Sequence, residues 1–287
     1  MIAGLTPWRV GKVRTVYDLG DRLVVVASDR LSAYDSILPT PIPDKGRVLT
    51  ALSAYWFGTL RAAPPHHLLT TRLEDMPEPF RSQPDLAGRT MLCRKADRID
   101  VECVVRGFLT GAGWREYREH GTLNERPLPQ GLHDGSRLSS PAFTPTTKAE
   151  QGHDEPIPHG GLKELVGEEL AHELERRSLA LYEEAQQIAR ARGLVLADTK
   201  FEFGMVHGKL TLIDELLSPD SSRYWDLPEY EAGRLVSFDK QYVRDWLDQS
   251  GWNHDPPAPA LPDDVVEATH ERYLEAARRF LGADWAP

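Results

Sequence analysis

Apolar and polar residues alternate most sharply between residues 198 and 204, where Asp198, Lys200 and Glu202 interleave with Thr199, Phe201 and Phe203. A period of two puts the three charged residues on one face of a strand and the other three on the opposite face. His207-Gly208 then reads as a tight turn into a second strand, Leu210 to Glu215. The length of that turn decides what the charged face can do. A two-residue loop pairs Glu202 with Ile213 and turns Asp214 away. A three-residue loop, with Gly208 as a left-handed bulge residue, brings Asp214 onto the Glu202 face beside Lys200. We expect the three-residue register, in which two carboxylates and a lysine meet, a pair suited to a hard cation such as magnesium. The same alternation also describes a charged, solvated hairpin face. Phe201 and Phe203 weigh against that, because they imply a hairpin packed on its other side.

Taken in order, Trp8 to Leu19 reads as a strand that carries Gly11-Lys12-Val13-Arg14, with Lys12 and Arg14 on one face. Leu23 to Ala27 is a buried strand after a turn at Gly20-Asp21. A glycine followed by alternating bases suits a polyphosphate. A solvated edge strand fits the same residues, and the Walker A spacing is absent. The polar loop Ser28 to Asp35 leaves the end of the buried strand, where ligand contacts often lie. A helix is expected from Val48 to Leu60, and strands from Arg89 to Arg94 and Ile99 to Arg106 around a turn at Ala96-Asp97. Arg106 through Trp114 reads as strand, glycine-rich turn and helix to about Glu119. Amides at a helix N-terminus beside an arginine suit a phosphate, although a plain tight turn needs the same glycines. Residues 121–161 are rich in Pro, Gly, Ser, Thr and His and are expected to form a cover over the site.

The longest helical stretch is Leu162 to Arg192, with Leu170, Leu174, Leu181, Ala185 and Ile188 on its inner face and Gly193 ending it. A short helix follows from Phe238 to about Asp248, and a last amphipathic one starts at Asp263. His66 and His67 are adjacent, so their side chains point apart, which argues against a metal site there.

The chain has 287 residues with 34 basic and 44 acidic side chains, a net charge of −10, which argues against general nucleic-acid binding. A local basic pocket for a small anionic substrate remains compatible with it. Cys93 and Cys103 lack a paired spacing and read as core thiols of a reducing compartment. No stretch approaches the length of a membrane span and the first residues lack a signal-peptide run, so a cytoplasmic protein is expected.

The motifs Gly11 to Tyr17, Ser28 to Asp35, Lys45 to Thr50, Val104 to Gly107, Phe143 to Glu155, Asp198 to Gly204 and Ser218 to Arg223 occur in this order. Together they resemble the SAICAR synthetase (phosphoribosylaminoimidazole-succinocarboxamide synthase) family from about Thr6 to Leu281. The resemblance implies an α+β fold in two lobes, distantly kinase-like, with an ATP cleft between them. Residues 1–94 would form an antiparallel-sheet lobe that binds ATP phosphates, and 95–287 an α+β lobe for substrate and metal. It also implies ATP-dependent amide formation between a carboxyaminoimidazole ribonucleotide and L-aspartate, with Mg2+; the alternative is a small-molecule kinase using the same cleft.

Carried over by residue, Gly11, Lys12, Val13 and Arg14 would contact ATP phosphates, and Arg94, Lys95 and Ala96 would border adenine with Glu102 nearby. Glu202 and Asp214 resemble the magnesium ligands, and Asp198 and Lys200 would line the reacting centre, with Asp198 a candidate proton acceptor. Arg106 and Arg223 would grip the ribonucleotide phosphate with the Gly111 to Gly113 amides. Lys148, His153 and Asp154, with Ser32 and Asp35, would face the substrates. Ala112 stands where a serine is usual, which predicts weaker ribonucleotide binding and not loss of activity. Monomer and homodimer both remain open.

Overall fold

The computed structural model describes residues 5–148 and 154–287, and the fold is α+β. Among the described residues, a five-stranded antiparallel sheet runs in the order β1 (Arg9–Val10), β2 (Arg14–Asp18), β3 (Arg22–Ala27), β7 (Thr90–Arg94), β6 (Leu68–Thr70). The larger sheet orders β11 (Ser136–Phe143), β8 (Asp97–Leu109), β13 (Leu194–Val206) and β14 (Lys209–Ile213). β12 (Thr146–Thr147) adds to β8, and β15 (Ser222–Asp226) adds to β13. Two small hairpins complete the strands, β4 (Ser32–Ala33) with β5 (Ser36–Ile37), and β9 (Thr122–Leu123) with β10 (Arg126–Pro127). The helices are α1 (Lys45–Thr59), α2 (Gly111–His120), α3 (Gly161–Val166), α4 (Glu168–Ala191), α5 (Leu227–Glu231), α6 (Gln241–Gln249) and α7 (Asp263–Leu281).

β13 organises the larger sheet because its two faces have opposite chemistry. Phe201 and Phe203 are fully buried and pack with Leu174, Leu181 and Ala185 of α4, Trp56 of α1 and Phe280 of α7. Burying one such aromatic side chain is worth about 1.5–3 kcal/mol. The opposite face carries Asp198, Lys200 and Glu202, as the alternation predicts. Cross-strand register sets Asp198 opposite Arg106 of β8 on one side and Arg223 of β15 on the other, and sets Glu202 opposite Glu102. The smaller sheet splits from the larger between Arg94 and Asp97, so the strands expected around Ala96-Asp97 belong to different sheets and do not form a hairpin. Helix α1 lies in the first 94 residues, yet its apolar face joins the core under the larger sheet.

The structure corrects several expectations. The turn after β13 has two residues, not three: His207 (φ 49°) and Gly208 (φ 74°) connect Val206 to Lys209, and Glu202 pairs with Ile213. Two successive positive φ angles give the hairpin twist that suits flanking strands, and His207 adopts one despite its side chain. The segment Trp8 to Leu19 is not one strand. Gly11 donates its N–H to the Arg14 carbonyl at 2.8 Å, so Gly11-Lys12-Val13 is the turn between β1 and β2. Lys12 therefore sits at a turn and does not share a strand face with Arg14.

The long helix is interrupted at Gly167 (φ 85°, ψ 157°), which separates α3 from α4. Within the expected cover at 121–161, residues 136–143 and 146–147 belong to the larger sheet, because β11 and β12 pair with β8.

Gly107 shows how tightly β8 lies against α4. A Cβ there would stand 2.0 Å from the Tyr182 hydroxyl, which donates to the Leu196 carbonyl at 2.6 Å and accepts from Gln186 Nε2 at 2.9 Å. Gly107→Ala is expected to lower the unfolding free energy by about 1–3 kcal/mol through overpacking. Urea unfolding checks this, as a reduced midpoint at constant slope.

Candidate functional site

A cleft of about 1430 Å³ is lined from both sheets and from α6. Its wall on the larger sheet is a ladder of charges. Arg106 Nη1 donates to Asp198 Oδ2 at 2.8 Å, and Arg223 Nε lies 3.5 Å from Asp198 Oδ1, so one carboxylate bridges two guanidinium groups on neighbouring strands. Two rungs along, Lys200 bonds Glu102 and Lys148 bonds Glu202, with cross distances of 3.8 Å (Lys200 to Glu202) and 3.6 Å (Lys148 to Glu102). Directly opposed like charges are unfavourable on a sheet, and the two ammonium groups between Glu102 and Glu202 offset that repulsion.

Asp214 reaches the same place by a route the strand pattern does not encode. β14 stops at Ile213, and Asp214 takes a left-handed backbone (φ 64°). Aspartate tolerates that conformation better than most side chains. Arg14 Nη1 donates to Asp214 Oδ1 at 3.2 Å, and the same guanidinium pairs with Glu215. Asp214 thus lies beside Glu202 although the register alone turns it away. Burial and then the Asp214 charge push the Glu202 carboxyl up to about 7. Burial acts on Asp214 in the same direction, but Arg14, Lys148 and Lys200 outweigh it and hold that carboxyl well below the ordinary aspartate range. Burial disfavours the Lys200 ammonium too, yet Glu102, Glu202 and Asp214 keep it protonated.

At the far end of the ladder, β8 leads through Thr110 into α2. Thr110 makes no side-chain cap, and Gly111 has φ +57°. A Cβ on Gly111 would lie 2.1 Å from Arg223 Nη1, so only glycine lets that guanidinium lie over the helix N-terminus. The first turn of a helix with an uncapped start and an arginine above it is suited to an anion.

Of the residues singled out from sequence, the cleft is lined by Gly11, Lys12, Val13, Arg14, Ser32, Asp35, Arg94, Lys95, Ala96, Glu102, Gly111, Lys148, Asp154, Lys200, Glu202, Asp214 and Arg223. Arg106, Asp198 and Gly113 stand behind that lining. His153 lies outside the described residues. Lys12 pairs with Asp35 across the cleft mouth, and Lys95 binds Asp18 at 2.6 Å and lies 5.3 Å from the Trp8 ring centroid.

A model of the SAICAR synthetase family matches residues 8–259. The phosphoribosylaminoimidazole-succinocarboxamide synthase of Rhodopirellula baltica is 48% identical, with 98% of this chain and 94% of that protein aligned. That of Thermodesulfovibrio yellowstonii is 47% identical, with 96% of each covered. The chain belongs to the SAICAR synthetase family. Among solved structures, the SAICAR-synthase from Saccharomyces cerevisiae complexed with SAICAR superposes with a TM-score of 0.89 at 36% identity, over 100% of this chain and 98% of that one.

Two residues to which the sequence assigned no role in the site support the cleft. Glu215 is buried, pairs with Arg14 and accepts from the Ser218 hydroxyl, so it braces the turn that carries Asp214. His67 is buried with Nε2 3.1 Å from the Asp214 carbonyl, which fixes the left-handed backbone from below. The adjacency of His66 and His67 gave no sign that one of them braces Asp214.

Burial pushes the His67 imidazole down to about 4, with Asp214 opposing that shift, from an ordinary value of 6.5. The folded state therefore binds a proton less readily than the unfolded chain. Stability from the neutral ring is complete above pH 6.5 and is lost as the pH falls toward 4. That gap is worth roughly 3 kcal/mol. Between pH 7 and pH 4, unfolding free energies should fall by about that much more for the unmodified chain than for His67→Gln. Equal losses in both would contradict the assignment.

Proposed function

We propose that this chain condenses 5-amino-1-(5-phosphoribosyl)imidazole-4-carboxylate with L-aspartate, at the expense of ATP, to give SAICAR, ADP and phosphate in purine biosynthesis, acting in the cytoplasm. The observation that carries this reading is one cleft with two anion-handling regions: the Glu202–Asp214 pair ringed by Arg14, Lys148 and Lys200, and the α2 N-terminus under Arg223. In this reading the division near residue 94 separates a lobe that handles ATP phosphates from one that handles the other substrates.

A carboxylate resists amide formation because its oxygen is a poor leaving group. Phosphorylation converts it to an acyl phosphate, which the aspartate amine can attack. Phosphoryl transfer depends chiefly on positioning and charge neutralisation. Lys12, at the β1–β2 turn, and Arg14 would receive ATP phosphates, and Arg94, Lys95, Ala96 and Glu102 would border the base. Arg106 and Arg223 would grip the ribonucleotide phosphate with the backbone amides of Gly111 to Gly113, which compensates for the missing hydroxyl at Ala112. Ser32, Asp35, Lys148, His153 and Asp154 would complete the substrate contacts.

Glu202 and Asp214 fit a magnesium ion, since they are oxygen donors, one buried and one half-buried, whose mutual repulsion a divalent cation would relieve. Bound there with nucleotide, it would supply charge neutralisation on the phosphates. Lys200 would stabilise charge at the reacting centre. Both Asp198 oxygens are engaged by arginines, which suits holding those arginines in place better than accepting the amine proton.

The deciding experiment is ADP release measured with each substrate omitted in turn, together with product analysis. Amide should form only when ATP, ribonucleotide and aspartate are all present. A phosphorylated product accumulating without aspartate would instead favour a small-molecule kinase. Glu202→Ala should reduce kcat/KM by at least ~10²-fold, comparable to losing one preorganised electrostatic stabiliser. Full turnover in that variant would remove Glu202 from the site.

A further inference from the structure

The wall of the cleft on the smaller sheet carries an apolar strip. Alternation puts Val16 and Asp18 of β2 and their cross-strand partners, Val25 and Leu23 of β3, on one face. Val16, Leu23 and Val25 line the cleft, and so does Ala96 in the link between the two sheets.

A tryptophan stands at the edge of this strip. Trp8 immediately precedes β1, and its N–H donates to the Val16 carbonyl at 2.9 Å, which ties its backbone to the strip. Its indole lines the cleft, remains 54% exposed and joins none of the apolar clusters among the described residues. Two cations hold the ring instead: Lys95 Nζ lies 5.3 Å from its centroid and the Arg9 guanidinium carbon 5.8 Å. Lys95 also binds Asp18 Oδ2 at 2.6 Å, so the ring is tethered to the face that carries Val16. A single exposed apolar side chain is ordinary on a protein surface. Trp8 differs because it faces a cleft, next to an apolar strip, and is fixed there by charges.

We propose that Trp8 stacks on the nucleobase of the phosphate donor, and that the indole and the Val16–Leu23–Val25 strip form a slot for one flat aromatic ring. The inference rests on the ligase reading above and adds to it a residue which that reading does not use. A base has two π faces and a polar edge. The strip receives one face by apolar burial, and the indole receives the other by stacking. The polyphosphate then runs toward Lys12 and Arg14, on the turn and strand that follow Trp8. Residues 8–14 would thus engage both ends of the nucleotide. Stacking is tolerant of base identity because every base has a π face. Trp8 therefore adds affinity for the nucleoside part and none for the phosphates.

Calorimetric titration with ADP and with inorganic tripolyphosphate, both with Mg2+, tests this on the unmodified chain, Trp8→Ala and Trp8→Phe, after melting in buffer shows that both variants fold. Loss of one base–aromatic stack corresponds to roughly 5- to 150-fold in affinity. Trp8→Ala should weaken ADP by at least ~5-fold and tripolyphosphate by less than ~2-fold. Trp8→Phe keeps a π face and should fall between Trp8→Ala and the unmodified chain. ADP should quench the tryptophan fluorescence of the unmodified chain more than that of Trp8→Phe. In turnover, the Trp8→Ala defect should appear in the KM of ATP and not in those of ribonucleotide or aspartate. A smaller loss of ADP affinity, a larger loss for tripolyphosphate, or equal quenching in both chains overturns the stack. Failure of the unmodified chain to bind ADP would overturn the ATP-dependent reading itself, a separate result.

Discussion

Strand β13 carries aromatic side chains into the core on one face and charges into the cleft on the other, and the site depends on that division. Phe201 and Phe203 lock the strand against α4, so Asp198, Lys200 and Glu202 project from a backbone with little freedom to shift. The flanking strands are then bound by charge as well as by hydrogen bonds. Asp198 spans Arg106 and Arg223 across three strands, and the Lys148 and Lys200 ammonium groups sit between Glu102 and Glu202. In a low-dielectric wall such an arrangement holds only while every charge has a counter-charge. The carboxylates and guanidinium groups are thereby aimed before any ligand arrives, which is what electrostatic catalysis requires.

The smaller sheet is joined to this wall through Arg14. Its guanidinium leaves the start of β2, crosses to the end of β14 and meets both Asp214 and Glu215. The turn that precedes it, Gly11 to Val13, is consequently held above the carboxylate pair. Lys12 extends from that turn to Asp35, the second of the two central residues of a tight turn, Tyr34 and Asp35, which both have positive φ. The cleft mouth is thus framed by two short turns bridged by one ion pair.

Much of this was legible in the chain. The two-residue period at 198–204 gave the charged face, and the glycines at 107, 111 and 113 marked the strand-to-helix passage at the anion site. What escaped was set by backbone torsion and by long-range packing. Nothing in the local pattern showed that His207 would take a left-handed conformation and shorten the hairpin turn, or that Asp214 would do the same and undo the consequence. The break at Gly167 was hidden because the apolar spacing continues across it. The importance of His67 and Glu215 depends on partners far away in sequence, which no window of neighbouring residues contains.

The left-handed backbone at Asp214 restricts what can replace it. Asparagine tolerates the torsion but forfeits the charge that Arg14 and Lys200 are arranged around. Glutamate keeps the charge, but it is less suited to that torsion and carries its carboxyl group one methylene further out. Among the twenty common side chains, aspartate alone meets both demands well. The position is therefore fixed twice over, by conformation and by electrostatics, and each of the two nearest exchanges satisfies one demand and fails the other.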